Sequence, residues 1–169
     1  IDLLKNYEIR GGLRTKIGDY QGAEEDISKA IELNPENLNY YFRRMDLREE
    51  IGDITGSLED CKKQMESNSS YYLLRKKIDY EMKLEDYEEA IEDFTTLIEK
   101  NPEDSNNYIA RAICHMNLWQ TPLAVNDYNK GIEKLHKDSD NRDGYFDYKG
   151  MFESDYKNIE DYTKAIELN

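Results

Sequence analysis

Two histidines and two cysteines are the side chains of this chain best suited to bind a metal or to act as nucleophile and base. A zinc site needs three or four convergent ligands, and a nucleophile needs a base held beside it. Cys61 and Cys114 do not have the spacing of metal ligands, and neither cysteine forms a recognisable motif with His115 or His136. We therefore expect no catalytic residue, no metal site and no cofactor. Both cysteines are interpreted as small core residues, with a functional thiol as the alternative.

Acidic clusters and one glycine pair are the remaining candidates for chemistry. The acidic runs at residues 24–26 and 85–89 could suggest general acids or calcium ligands. They fall where first turns of helices are predicted, and acids favour the positive end of the helix dipole. Gly11-Gly12 lacks the preceding strand and the Gly-Lys-Ser run of a nucleotide-binding loop. We interpret the acids as a solvated face and the glycines as a close contact between helices.

The elements that would position such side chains recur along the chain. Residue pairs that end a predicted helix, each with an apolar second member, follow one another at steps of 33 or 34 residues. They are Ala30-Ile31, Gln64-Met65, Leu97-Ile98, Gly131-Ile132 and Ala165-Ile166. A break falls halfway through each period, as at Gly18-Asp19, where glycine ends one helix and aspartate caps the next. Each period therefore predicts two helices, A and B, of about 14 residues each.

At these positions the chain resembles the tetratricopeptide repeat family. The matching residues of the first copy are Tyr7, Gly11, Gly18, Asp19, Tyr20, Ala23, Ile27, Ala30 and Pro35. The third copy matches through Leu84, Asp86, Tyr87, Ala90, Phe94 and Pro102. The resemblance implies an all-α fold, a right-handed superhelical solenoid of about five antiparallel helix pairs.

The resemblance also implies how the chain is organised. We expect a single domain over residues 1–169, as part of a longer chain. Its repeats are predicted near residues 4–37, 38–70, 71–104, 105–138 and 139–169. The fifth repeat is irregular, because Gly144 and Gly150 interrupt its predicted A helix. The aromatic residues of that repeat, like Trp119 in the fourth, are interpreted either as core or as an exposed contact surface.

Composition and charge exclude some classes of partner. The net charge of −14 argues against nucleic acid, for which a basic stripe is expected. No run approaches 18 apolar residues, so membrane insertion is not expected. The two cysteines without a partner motif favour a reducing compartment, and we predict a cytoplasmic location.

Charge is unevenly divided between the two kinds of helix. The A windows at residues 4–17, 38–51, 71–84 and 105–118 carry +3, 0, +2 and +1, which leaves −20 on the remainder. In the family that the chain resembles, A helices line a concave groove, so the resemblance implies a neutral-to-basic groove. Matching positions predict as peptide-binding residues Lys5, Asn39, Phe42, Arg43, Tyr72, Arg75, Lys76, Asn106, Ile109 and Ile113. Arg10, Arg14 and Arg44 instead occupy slots that are usually packed.

Two functions remain open at this point. The first is a non-catalytic protein–protein interaction module that holds a peptide or a partner helix in its groove, where the predicted charge would favour an acidic one. The second is an assembly scaffold that forms homo-oligomers through uncapped repeat ends. The charge asymmetry favours the first function, and the aromatic fifth repeat favours the second.

Overall fold

The computed structural model describes residues 2–137, in which eight α-helices follow one another without a strand. Their bounds are α1 Leu3–Lys16, α2 Tyr20–Leu33, α3 Leu38–Ile51, α4 Ile54–Met65, α5 Tyr71–Leu84, α6 Tyr87–Lys100, α7 Ser105–Asn117 and α8 Thr121–Lys137. The odd-numbered helices are the predicted A helices, and the even-numbered ones are the B helices. The expectation of an all-α repeat fold is therefore confirmed, while the predicted fifth repeat lies outside the described residues.

Helix starts are fixed by short polar side chains, as the sequence predicts. The Asp19 Oδ1 atom accepts a hydrogen bond of 3.0 Å from the backbone N–H of Gly22 at the start of α2. Asp53 does the same for Gly56 at the start of α4, also at 3.0 Å. Ser70 caps α5 through the backbone N–H of Leu73. These caps satisfy N–H groups that have no partner within the helix.

The turns between A and B helices share one backbone geometry. Gly18 and Gly52 both have φ +79°, in the left-handed region that glycine adopts without steric cost. At the equivalent positions of later repeats, Glu85 has φ 62° and Trp119 has φ 59°. In every case the next residue donates its N–H back across the turn, as Asp53 does to the Arg48 carbonyl at 2.8 Å. The turn is conserved in shape even where glycine is absent.

The chain divides into two compact units, Ile1–Asp86 and Tyr87–Asn169. In the first unit, consecutive helices from α1 to α5 pack against one another. One buried cluster joins α2 to α3 and consists of Ala23, Ile27, Ala30, Ile31, Tyr40 and Leu47. A second joins α3, α4 and α5 and consists of Met45, Leu58, Cys61, Leu73 and Tyr80. In this unit α3 thus buries one face against α2 before it and another against α4 after it.

In the second unit, α7 packs against α6 and α8. The contact with α8 is close, because a Cβ atom added at Gly131 would lie 2.7 Å from Ile109 Cγ1. Gly11 also lies at a helix contact in the first unit, but the approach is less close, since an added Cβ would lie 3.3 Å from Ile27 Cδ1. The interpretation of Gly11 as a helix contact agrees with this geometry. The expectation of a single domain stays a prediction.

Candidate functional site

Most basic side chains of the A helices are already paired within the protein. Three arginines each form an ion pair with an aspartate 16 residues later, on the following B helix. The pairs are Arg10 with Asp26, Arg44 with Asp60 and Arg111 with Asp127, with shortest N–O distances of 2.5, 2.7 and 2.6 Å. The three carboxylates are buried. Buried carboxylates require such partners, so these arginines are structural.

A second row of arginines supports the same carboxylates. Arg14 Nη1 donates to Asp26 Oδ2 and to the Gly22 carbonyl, both at 2.9 Å. Arg48 Nη1 repeats both contacts one period later, at 3.1 Å to Asp60 and 2.9 Å to the Gly56 carbonyl. The hydrogen bond from Arg10 is the largest influence that holds the pKa of Asp26 below its usual value. Much of the positive charge counted on the A helices is therefore neutralised internally.

Two of the predicted groove cations also have partners. Lys76 on α5 donates to both carboxylate oxygens of Glu49 on α3, at 2.8 and 2.9 Å. Burial opposes ionisation of Glu49, but the hydrogen bond from Lys76 brings the pKa of Glu49 below its usual value. The Arg75 guanidinium lies 5.4 Å from the centre of the Tyr71 ring, and its Nε donates to the Tyr71 hydroxyl at 3.1 Å. Lys76 thus links two helices.

Arg43 differs from these residues, because the described part of the chain gives it no carboxylate partner. It lies on α3 and borders a cleft of about 470 Å³ between α1 and α3. The cleft is lined by Gly12, Thr15, Lys16, Tyr20, Arg43, Asp46, Leu47 and Glu50. At Gly12 an added Cβ would meet only the Arg43 Nη2 atom, at 3.7 Å. The missing side chain at Gly12 leaves the guanidinium accessible from the cleft.

The other predicted binding residues of the first unit lie at the surface. Lys5 on α1, Asn39 and Phe42 on α3 and Tyr72 on α5 are all exposed. The two rings offer apolar contact area next to polar groups, which is typical of peptide-binding surfaces.

The predicted residues of the second unit are less accessible. Ile109 is buried, because its side chain packs where α7 meets Gly131 of α8. Asn106 and Ile113 are partly exposed. Ile109 is therefore a core residue, and the matching of family positions was wrong to assign it to an accessible surface.

The histidine and cysteine side chains described here that could act in catalysis are buried and hydrogen-bonded within the fold. His115 is buried; its Nδ1 lies 2.7 Å from Gln120 Oε1, and its Nε2 lies 3.6 Å from Asp127 Oδ2. Cys61 is buried and donates to the Leu73 carbonyl at 3.4 Å, and burial raises the pKa of its thiol to about 11. The described residues contain no group of three or more metal-binding side chains, and His136 lies where no side chain is described. No helix among the described residues is long and apolar enough to cross a membrane.

Comparison with known proteins finds a family match for one repeat. A tetratricopeptide repeat family model matches residues 4–37, the first predicted repeat. A solved tetratricopeptide repeat protein from Parabacteroides merdae ATCC 43184 is 18% identical, with a TM-score of 0.61 over 84% of this chain and 56% of that one. No curated protein matches the chain by sequence.

Two further structures share the tetratricopeptide fold of this chain. A crystal structure of MamA is 18% identical, with a TM-score of 0.58 over 80% of each chain. A MamA structure covering residue 41 to the end, from Desulfovibrio magneticus RS-1, is 14% identical, with a TM-score of 0.60 over 99% of this chain and 96% of that one. At this identity the likeness concerns the fold alone. Tetratricopeptide repeats generally mediate protein–protein interaction and are typically non-catalytic.

Sequence reasoning missed part of the cleft between α1 and α3. Thr15 and Lys16 lie at the end of α1, and Tyr20 lies at the start of α2. Thr15 and Lys16 follow the family's groove positions on α1 itself, and Tyr20 is brought to the cleft by the turn at Gly18. The glycine-aspartate turn signal was available, yet the angle at which the chain leaves it is not encoded in residue spacing.

Proposed function

We propose that the cleft between α1 and α3 binds an extended segment of a partner protein, with Arg43 as the anchor for one carboxylate. The observation that carries this proposal is the lack of an internal carboxylate partner for Arg43, beside the open backbone of Gly12. An unpaired guanidinium at a concave surface gains two parallel hydrogen bonds when a carboxylate arrives. Phe42 and Tyr72, exposed on the same unit, supply aromatic contact.

The charge of the cleft defines what kind of segment fits. Lys16 and Arg43 face Asp46 and Glu50, so the lining is balanced. Burial and the nearby Glu49 carboxylate raise the pKa of Asp46. Asp46 therefore loses its negative charge at a higher pH than an ordinary aspartate. A segment with one acidic side chain among polar and apolar ones is favoured over a uniformly acidic tail.

A random peptide library selected on the purified chain tests this proposal. Selected peptides are expected to carry an Asp or Glu, and Arg43→Glu is expected to weaken their binding by about tenfold or more. Lys62→Glu, the same charge change on the outer face of α4, is the matched control and should leave binding unchanged. Circular dichroism establishes that both variants remain helical. Equal affinity of wild type and Arg43→Glu would exclude the cleft as the binding site.

Self-association is a second candidate function. The observation in its favour is an exposed apolar row formed by Ile9 and Leu13 on α1 and by Ile17 directly after its end. These residues are spaced by four and lie on one helix face. An exposed apolar row on a helix is a surface on which another helix can pack.

The remaining expectations are carried forward as part of this proposal. We place the protein in the cytoplasm, because Cys61 and Cys114 are both free thiols. A protein partner is favoured over nucleic acid because of the net charge of −14.

A further inference from the structure

The cleft between α1 and α3 carries opposite charges along its length. On α3 its lining begins at Arg43 and continues through Asp46 to Glu50. These residues are spaced by three and four positions, so they form one stripe on the helix. The helical rise places Glu50 about 10 Å beyond Arg43 along the axis. The cleft therefore follows α3 and presents a cation first and two carboxylates after it.

The two carboxylates of this stripe are not used inside the protein. In the part of the chain that the structure describes, neither Asp46 nor Glu50 takes part in an ion pair. Glu49, which precedes Glu50, instead pairs with Lys76 on α5 at 2.8 Å. Helix rotation separates these acids, because Glu49 faces α5 while Asp46 and Glu50 line the cleft with α1.

The α1 side of the cleft leaves this division of charge in place. Lys16 lies one period of 34 residues before Glu50 and lines the same cleft, but it is exposed and forms no ion pair with a described carboxylate. One flexible ammonium group thus stands against two carboxylates. Near Arg43, α1 contributes Gly12, which has no side chain. Among the residues that line the cleft, one end is therefore positive and the other is negative.

The surroundings of Asp46 favour the arrival of a cation. Desolvation and the carboxylates of Glu49 and Glu50 raise the pKa of Asp46, and the charge of Lys76 offsets them only in part. A carboxylate in such surroundings is stabilised when a cation forms a hydrogen bond with it.

We infer that the segment bound in this cleft carries a basic side chain two residues from its acidic one, with the acid on Arg43 and the base between Asp46 and Glu50. Side chains two residues apart on an extended chain point to the same side and lie about 7 Å apart. The midpoint between Asp46 and Glu50 also lies about 7 Å beyond Arg43 along α3. A second acid at this position would face like charges and be rejected. This inference rests on the proposed function and names the class of segment that the cleft accepts.

A displayed library of short peptides with one fixed Asp and random flanking residues gives the first test. Selection on the wild-type chain is expected to enrich Lys or Arg several-fold at the position two residues from the fixed Asp, on one side of it. The position between them points away from the cleft and should show no such enrichment. Peptides that require Arg43 but show no enriched base would overturn the inference and leave the proposed function standing. Peptides that bind Arg43→Glu as well as wild type would overturn both.

Charge reversal on α3 tests which residues hold the base. A double variant, Asp46→Lys with Glu50→Lys, is expected to select Asp or Glu where wild type selects Lys or Arg. Glu59→Lys, the same charge change at an exposed residue of α4, is the control and should select like wild type. Circular dichroism establishes that the variants remain helical. Selection of the same basic residue by the double variant would overturn the inference.

A second variant of almost unchanged shape keeps the test valid if charge reversal disturbs the fold. In the strongest selected peptide, replacing the basic residue with Gln is expected to weaken binding to wild type by about tenfold. The same replacement should leave binding unchanged on the double variant Asp46→Asn with Glu50→Gln, because the carboxylates that hold the base are gone. An equal loss on both chains would show that the base contacts another surface, and the inference would be wrong.

Discussion

Arg44 and Asp60 are joined by two hydrogen bonds, from Nε to Oδ2 at 2.9 Å and from Nη2 to Oδ1 at 2.7 Å, which tie α3 to α4. The Asp60 side chain is buried and also accepts from Arg48 at 3.1 Å. Its removal leaves two guanidinium groups without their shared carboxylate. The pair is therefore a sensitive point of the first unit.

Replacing this carboxylate gives the first prediction. Asp60→Ala is expected to lower the free energy of unfolding by about 3 kcal/mol, because it leaves the partly buried Arg44 guanidinium without its carboxylate, while Arg48 keeps Glu24 and Asp53. Asp26→Ala should cost less, since its partner Arg10 is more exposed than Arg44 and can be solvated. Urea unfolding followed by circular dichroism measures both. A larger loss for Asp26→Ala than for Asp60→Ala would contradict the assignment.

The pH dependence of stability gives a second prediction, for the ion pair between Arg10 and Asp26. The hydrogen bond from Arg10 lowers the folded-state pKa of Asp26, so ionised Asp26 stabilises the fold above its unfolded pKa of about 4. That stabilisation is lost as the pH falls through the lower, folded-state pKa. The difference in unfolding free energy between wild type and Asp26→Asn should thus be largest near neutral pH and shrink below about pH 4. A difference that stays constant with pH would show that Asp26 acts through packing alone.

The left-handed turn residues predict opposite effects for two substitutions. Gly52→Ala should destabilise by about 1 kcal/mol, because alanine is strained at φ +79° and nothing lies within 4 Å of the new Cβ. Trp119→Gly should be neutral or stabilising by up to about 1 kcal/mol. Glycine adopts φ 59° without strain, and the indole that is removed is 91% exposed. Thermal unfolding of the two variants beside wild type measures this. Marked destabilisation by Trp119→Gly would mean that the indole packs in solution.

Thiol reactivity tests the burial of the cysteines. Cys61 and Cys114 are fully buried, and the pKa of Cys61 is raised to about 11, so the native protein should react with Ellman's reagent far more slowly than the unfolded one. Two thiols should titrate in guanidinium chloride. Cys61→Ser, which leaves Cys114 as the only thiol, assigns any residual native reaction. Rapid native labelling would restore the alternative of a functional thiol.

The sequence predicts the packing of this protein better than its surface. The regular slots, such as Ile27 and Cys61, are buried as the period requires, because a repeated helix pair must bury the same stripe each time. Counting charges does not reveal internal pairs, such as that of Lys76 with Glu49 on the neighbouring A helix. The repeat period predicts where each residue lies on its own helix. It does not predict the length or the direction of the side chain that faces it from the neighbouring helix.

Matching of family positions separated Arg43, which it assigned to the groove, from its neighbour Arg44, which it assigned to a packed slot. A count of charges treats the two arginines of α3 alike. One residue of displacement turns Arg44 toward Asp60 on α4 and leaves Arg43 at the cleft with α1. Which cation stays unpaired is decided by helix rotation, which a count of charges per helix does not contain.

The constant interval of 16 residues between each arginine and its aspartate affects how the chain can change length. Arg44 finds Asp60 inside its own helix pair and reaches one hydroxyl, that of Ser28, in the pair before it. A whole period duplicated at the boundary between residues 37 and 38 would bring its own carboxylate and present the same hydroxyl to its neighbour. Unequal recombination can therefore add or remove complete units without stranding a buried charge, while an insertion or deletion between an arginine and its aspartate would separate the pair.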